Sequence, residues 1–119
     1  MYKITITRLA KEGILTFSAP GKTIKTKCYW NLTKKIPAGT YVKCSATTMA
    51  RKLNSKGTAR EAIFLPNVAG FSEIFIHMGK APFETWSDGC VVIEEDKLIE
   101  IYNAITPKNG HNVTVVING

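Results

Sequence analysis

Ile74-Phe75-Ile76-His77-Met78-Gly79-Lys80-Ala81-Pro82-Phe83-Glu84-Thr85-Trp86-Ser87-Asp88-Gly89-Cys90-Val91-Val92-Ile93 is the stretch on which the fold turns. A β-branched apolar run ends in one of only two histidines, and a second apolar run opens with a cysteine. The twelve residues between them are rich in Gly, Pro, aromatic and acidic side chains. Runs of that length and composition read as short strands, and the Pro and Gly between them read as a loop. If the two strands are neighbours, the loop leaves one strand end and returns beside it, so His77 and Cys90 project at the same rim of a sheet.

Downstream, Glu94-Glu95-Asp96 places three acids where a helix N-terminus favours negative charge. Leu98, Ile101, Tyr102 and Ile105 follow at i, i+3, i+4 and i+7, which predicts one amphipathic helix. Pro107-Lys108-Asn109-Gly110 stops it, and Val113, Val115 and Ile117 alternate as a closing strand.

Upstream, Tyr2–Arg8 alternates with Ile4 and Ile6 on one side and Lys3, Thr5 and Thr7 on the other. Ile14–Ser18 and Lys22–Trp30 continue an antiparallel meander, with Ile24, Cys28 and Trp30 facing away from Lys25 and Lys27. Ile36-Pro37-Ala38-Gly39-Thr40-Tyr41 leads into Tyr41–Thr47, where Val42, Cys44 and Ala46 are expected to point inward. Thr48–Arg60 is polar, basic and without a clean period, and is expected to be a long exposed loop with a helical turn at Met49–Leu53. Ala62–Leu65 and Glu73–His77 are short strands. The pattern predicts a mainly β single domain over residues 1–119, a β-sandwich or barrel-like sheet of seven or eight strands with one α-helix in the C-terminal half.

A chain of 119 residues with 45% hydrophobic side chains builds one core without metal or disulfide staples. No apolar run approaches the ~20 residues that span a bilayer. Met1–Arg8 lacks an apolar signal-peptide core, so the chain is expected to be soluble and made in the cytoplasm. Cys28, Cys44 and Cys90 form no CxxC pair, and an odd count leaves at least one free thiol.

The net charge of +7 is uneven. Residues 1–60 carry thirteen Lys and Arg against one acid, and residues 61–119 three against eight, so the halves hold about +12 and −5. The basic half suits an anionic wall polymer, while lysines alternating on exposed strands also serve simply to keep edges soluble. No arginine cluster or aromatic ladder points to specific nucleic-acid readout.

A thiol becomes a nucleophile when a neighbouring base takes its proton, and histidine is the usual partner. His77 and Cys90 are the candidate pair, with the Gly89 and Cys90 amides facing a developing oxyanion and Ser87 donating a hydrogen bond. Trp86 and Phe83 would form an apolar wall, and Gly79 and Asp88 would border the substrate. The plainer reading makes Cys90 a packing residue and His77 a structural histidine. A zinc set of His77, Cys90, Cys44 and His111 lacks recognised ligand spacing.

Beyond spacing, the layout resembles the catalytic domain of L,D-transpeptidases, cysteine enzymes of the bacterial cell wall. Ile76-His77-Met78-Gly79, Ser87-Asp88-Gly89-Cys90-Val91, Glu94–Tyr102 and Val113–Ile117 occur in that family's order. Ile36–Tyr41 resembles its Pro-x-Gly-x-Tyr/Phe segment, and Leu65–Phe71 resembles short relatives encoded by bacteriophages and prophages. The resemblance implies Cys90 as the acylated nucleophile, His77 as general base, Ser87 at the family's Ser/Thr position, a peptidoglycan stem peptide as substrate, and neither cofactor nor metal. It also implies action at the cell wall or periplasm, in lysis. Asp88 stands where the family has a second histidine and Val92 where it has arginine, which favours water over an amine as acyl acceptor. The expectation is therefore a murein peptidase. Transpeptidation and an inactive basic binding module are the alternatives.

Overall fold

The computed structural model describes residues 2–119, and Met1 lies outside the described residues. Eight strands form one sheet in the order β3-β2-β1-β8-β4-β5-β6-β7. They are β1 Tyr2–Arg8, β2 Gly13–Ala19, β3 Lys22–Cys28, β4 Gly39–Leu53, β5 Ala59–Leu65, β6 Ile74–Gly79, β7 Val91–Glu94 and β8 Val113–Asn118, with helix α1 at Glu95–Ala104. The β1–β8 and β6–β7 pairs are parallel. The other neighbours are antiparallel.

The two outermost strands meet, so the sheet is a nearly closed barrel. Tyr29, just past β3, exchanges backbone bonds with Val92 in β7: its N–H donates to the Val92 carbonyl at 2.9 Å, and the reverse bond is 2.8 Å. Closure removes the edge that an open eight-stranded sheet would present to other chains.

Inward residues alternate as the pattern requires. Ile4 and Ile6 of β1, Leu15 and Phe17 of β2, Ile24 and Cys28 of β3, and Val113, Val115 and Ile117 of β8 are all buried in one core. Leu98 and Ile101 of α1 and the following Ile105 join it. The Glu95 carboxylate accepts the Ser55 N–H at 2.9 Å, tying the acidic start of α1 to the β4–β5 turn. No helix among the described residues is long and apolar enough to cross a membrane.

Two expectations are corrected. Val42 points outward and is 56% exposed, because β4 carries a bulge: Tyr41 pairs with Val115 but Cys44 pairs with Val113, three steps against two. Lys43 takes the strain at φ 59°. The extra residue turns Val42 out and leaves Cys44 and Ala46 buried.

The second correction is larger. Thr48–Arg60 is a β-hairpin, with β4 running to Leu53, β5 starting at Ala59, and Met49 opposite Arg60. Asn54 forms its turn: its side-chain oxygen accepts the N–H groups of Lys56 (2.9 Å) and Thr58 (3.1 Å), and its backbone N–H reaches the Thr58 carbonyl. Arg51, Lys52 and Leu53 are all exposed, so the end of β4 has no buried face to print a period. The pairing itself breaks over residues 50–52, between the Met49–Arg60 and Leu53–Ala59 pairs, four steps on β4 against one on β5.

Candidate active site

Strands β6 and β7 are parallel neighbours with Ile76 opposite Val91 and His77 opposite Val92. Stepping back one position sets Cys90 beside Phe75, and the Phe75 N–H donates to the Cys90 sulfur at 3.4 Å. In a strand, residues two apart share a face, so Phe75, His77 and Cys90 belong to the same, outer side of the barrel wall. A strand spacing of ~4.8 Å and a two-residue offset of ~6.6 Å put the His77 and Cys90 Cα atoms about 8 Å apart on the diagonal. The side chains span much of that interval. In this state the sulfur is bonded to backbone rather than to the imidazole, with the Glu73 carbonyl at 3.8 Å as its second contact.

The outer face would be open were it not for the returning loop. After Gly79 the chain makes a 3-10 turn at Phe83–Trp86, held where the Thr85 N–H and hydroxyl both donate to the Pro82 carbonyl. Phe83 stacks on Tyr29 at 4.3 Å between centroids, anchoring the loop to the point of barrel closure. Gly79 makes room: a Cβ there would collide with a Val92 methyl and come within about 3.1 Å of the Trp86 ring. Under this roof Ala62, His77 and Val92 are buried even though they face outward.

The last turn before the cysteine is built by Ser87. This side chain is buried; its hydroxyl donates to the Cys90 carbonyl at 2.5 Å and accepts the Gly89 N–H at 3.2 Å. The Asn31 side-chain amide donates to the Ser87 carbonyl at 3.1 Å. Gly89 has φ 116°, a conformation that side chains resist, and a Cβ would press on Ile74 and Phe71 at 3.0 Å. Ser87 therefore shapes the turn, and it occupies the Gly89 amide that was expected to face an oxyanion.

His77 is 4% exposed, and its Nδ1 lies 2.8 Å from the Met78 carbonyl. A carbonyl accepts only, so Nδ1 carries the proton and Nε2 presents the lone pair. Burial pushes the His77 pKa down, the Met78 bond opposes this in part, and the positive charges of Arg60 and Lys52 add to the lowering. Burial pushes the Cys90 thiol up; the Phe75 N–H pulls it down, and Asp88 raises it further. The resting pair is a neutral imidazole and a neutral thiol. Asp88 itself is exposed and salt-bridged to Lys34 at 2.9 Å, at the surface rather than in the trough.

Two concavities open on this face. One, of about 350 Å³, is lined by Met49, Lys52, Arg60, His77, Thr85 and Trp86. The other, of about 550 Å³, is lined by Met49, Ala50, Arg51, Lys52, Glu73 and Phe75. They share Met49 and Lys52 and form one trough. Cys90, half-buried, borders the second through Phe75 and Glu73. Of the residues expected at the site, His77 and Trp86 line the trough, while Cys90 lines neither concavity and reaches the second only through its contacts with Phe75 and Glu73. Phe83, Gly79, Ser87 and Gly89 hold the loop in place.

Met49, Lys52 and Arg60 come from the hairpin that periodicity missed. Their signal was present at one remove, since extending the Ala62–Leu65 strand backward by two puts Arg60 on the outer face with Ala62. His111 is exposed, with its N–H donated to the Ser45 hydroxyl at 2.8 Å. Among the described residues no three His, Cys, Asp or Glu side chains converge as metal ligands would.

No family model and no curated protein matches the sequence. Among solved structures the chain is similar to the helical cell shape determining protein Pgp2 from Campylobacter jejuni, at a TM-score of 0.52 and 17% identity. A point mutant of that protein superposes at a TM-score of 0.56, also at 17% identity. Each match covers 98% of this chain and 46% of the other, so this chain spans less than half the length of Pgp2. At that identity the likeness is one of fold: a mainly β, nearly closed barrel with a single helix in its C-terminal half.

Proposed function

We propose that this domain is a cysteine-dependent murein peptidase. The observation that carries the reading is the shared face of His77 and Cys90, diagonal neighbours on a parallel strand pair at the edge of a roofed trough. The resemblance to L,D-transpeptidases gives the pair its roles. The likeness in fold to a protein that determines bacterial cell shape supports the wall as the place of action. A part in phage-type lysis rests on the sequence resemblance alone.

The chemistry follows from the protonation states. Because the thiol is held up and the imidazole down, no thiolate–imidazolium pair stands ready. Nε2 of His77 takes the thiol proton as sulfur attacks the carbonyl of a stem- or cross-bridge peptide. The oxyanion of the tetrahedral adduct faces the Cys90 amide. His77 then returns the proton to the leaving amine as the C–N bond breaks, leaving a thioester on Cys90. Water, deprotonated by the same imidazole, attacks the thioester and releases the acid and the thiol. Nothing in the cycle needs Nδ1 to exchange its proton, which is why the Met78 bond is compatible with both halves.

Digestion of purified sacculi tests the proposal. Wild-type protein should change the muropeptide pattern and Cys90→Ala should leave it as found; identical patterns from the two, or no digestion by either, would overturn it. Adding an acceptor amine separates hydrolysis from transfer, because transpeptidation would yield an amine-linked product.

The exposed Lys22, Lys25 and Lys27 of β3 favour a second reading, an inactive module that binds an anionic wall polymer. Under it, Cys90→Ala keeps all function in cells, and charge reversal at Lys25, Lys27, Lys34 and Lys35 removes it.

A further inference from the structure

We infer that Arg60 and Lys52 form an anion-binding end of the trough, selecting peptides that carry a free carboxylate beside the bond offered to His77 and Cys90. The inference rests on the peptidase reading only for the kind of peptide; the binding site itself is argued from side-chain placement. Arg60 is opposite Met49 and two residues from Ala62, which is opposite His77, so Arg60 and His77 share one face of β5 and β6. Both line the same 350 Å³ concavity with Lys52.

The guanidinium is oriented before any ligand arrives. Arg60 Nε donates to the Leu53 carbonyl at 3.1 Å, and the guanidinium carbon sits 5.4 Å from the centre of the Trp86 ring. One edge is thus spent on backbone and one face on an aromatic, which leaves the terminal N–H groups for a planar, two-oxygen acceptor. Neither Arg60 nor Lys52 takes part in a salt bridge among the described residues, where the pairs are Lys27–Glu12 and Lys34–Asp88. No acid lines the 350 Å³ concavity with these two cations, both of which lower the His77 pKa; the nearest counter-charges are Glu95, whose carboxyl Arg60 helps to hold down, and Glu73, which lines the adjoining concavity with Lys52. A carboxylate docked there neutralises that excess, while Trp86 offers an apolar wall to the side chain that bears it.

A guanidinium fork accepts the paired oxygens of a carboxylate or a phosphate alike, so it is the peptidase reading that makes the ligand a peptide carboxylate. The site also sits where β7 lacks a cation. Val92, buried opposite His77, contributes no charge to this face, and the arginine reaches it from β5.

The test measures binding apart from turnover, on full-length Cys90→Ala protein titrated with Nα,Nε-diacetyl-L-lysyl-D-alanine and with its C-terminal amide, followed by backbone NMR shifts. The acid should bind at least about tenfold more tightly than the amide, and Arg60→Gln should abolish that preference. Lys52→Gln, at an exposed position, should weaken it severalfold and serves if Arg60→Gln does not fold. Equal affinity for acid and amide, no binding of either, or an unchanged preference in a folded Arg60→Gln protein would overturn the inference. So would inorganic phosphate displacing the acid more effectively than acetate does, which would make the site a phosphate site. Carboxylate-selective binding by a protein whose wild type cleaves no muropeptide would sink the peptidase reading and spare this one. Cleavage of acid and amide at equal rates would do the reverse.

Discussion

The outer face of β1–β3 and the outer face of β5–β7 are built from the same alternating pattern and end as different surfaces. On the first, Lys3, Ser18, Lys25 and Lys27 stand in water with Thr5, Ile14 and Thr16 half-buried among them. On the second, Ala62, His77 and Val92 are buried, because the Lys80–Cys90 loop folds back over them and is pinned by Phe83 on Tyr29. A bare face tolerates nearly any polar residue. A roofed face desolvates whatever it carries, and what it carries here is an imidazole held neutral, a thiol held protonated and, at the open side, the two cations Arg60 and Lys52. The roof turns a strand surface into a place where proton transfer depends on position rather than on solvent.

The largest effect that sharpens this contrast is at His77. His77→Gln keeps the size of the side chain and removes the base, and should lower muropeptide cleavage by about 10²–10⁴-fold. The pH profile gives the sign. A histidine whose pKa lies below its ordinary 6.5 stays neutral into mildly acidic solution. Wild-type activity should therefore persist below pH 6.5, be lost only as the pH falls through the depressed value, and show no such limb in His77→Gln. An acid limb at or above 6.5 would mean that His77 is not desolvated by the loop.

Next in size is the roof itself. In Gly79→Ala the new methyl meets Val92 and the Trp86 ring, and overpacking of this kind costs about 1–3 kcal/mol. Thr16→Ala on the bare face should fall within about 0.5 kcal/mol of wild type. Denaturant melts of the two variants make the comparison, and equal stabilities would show that the loop does not bear on β6. Gly79→Ala should also expose His77 and move its pKa back toward 6.5, readable by NMR titration.

The smallest effect separates the three thiols. Cys90 is half-buried, whereas Cys28 and Cys44 are fully buried and are pushed up to about 12 by burial. In native protein a thiol reagent should modify Cys90 alone, with Cys28 and Cys44 reacting only after unfolding. For these two the folded pKa is above the unfolded value near 9, so their contribution to stability is complete below pH 9 and is lost as the pH rises from there through about 12. Labelling of Cys28 or Cys44 at the rate of Cys90 in folded protein would contradict the packing described.

How much of this was legible in the sequence depends on whether a strand had a buried side. Ile4 and Ile6, Leu15 and Phe17, or Val113, Val115 and Ile117 announce their faces because burial selects every second residue. The same logic found β6, β7 and α1, and so placed His77 and Cys90. It failed at Val42, where a bulge shifts the phase by one, and at Thr48–Arg60, where exposed strand ends leave no apolar record. That second failure hid Met49, Ala50, Arg51, Lys52 and Arg60, half of the residues that line the trough. Ser87, expected to donate a hydrogen bond at the site, braces the Gly89 turn, and that was not legible, since a hydroxyl's partners depend on a backbone path that periodicity does not describe.

We propose, above all, that the roofed face brings one sulfur and one imidazole close enough to cut a peptide through a covalent intermediate. Intact-protein mass spectrometry after rapid acid quench of a reaction with murein tetrapeptides measures this directly. The account predicts a thioester adduct that maps to Cys90, accumulates more slowly in His77→Gln and is absent from Cys90→Ala. Peptide turnover with Cys90 unmodified throughout, or equal turnover by Cys90→Ala, would contradict it.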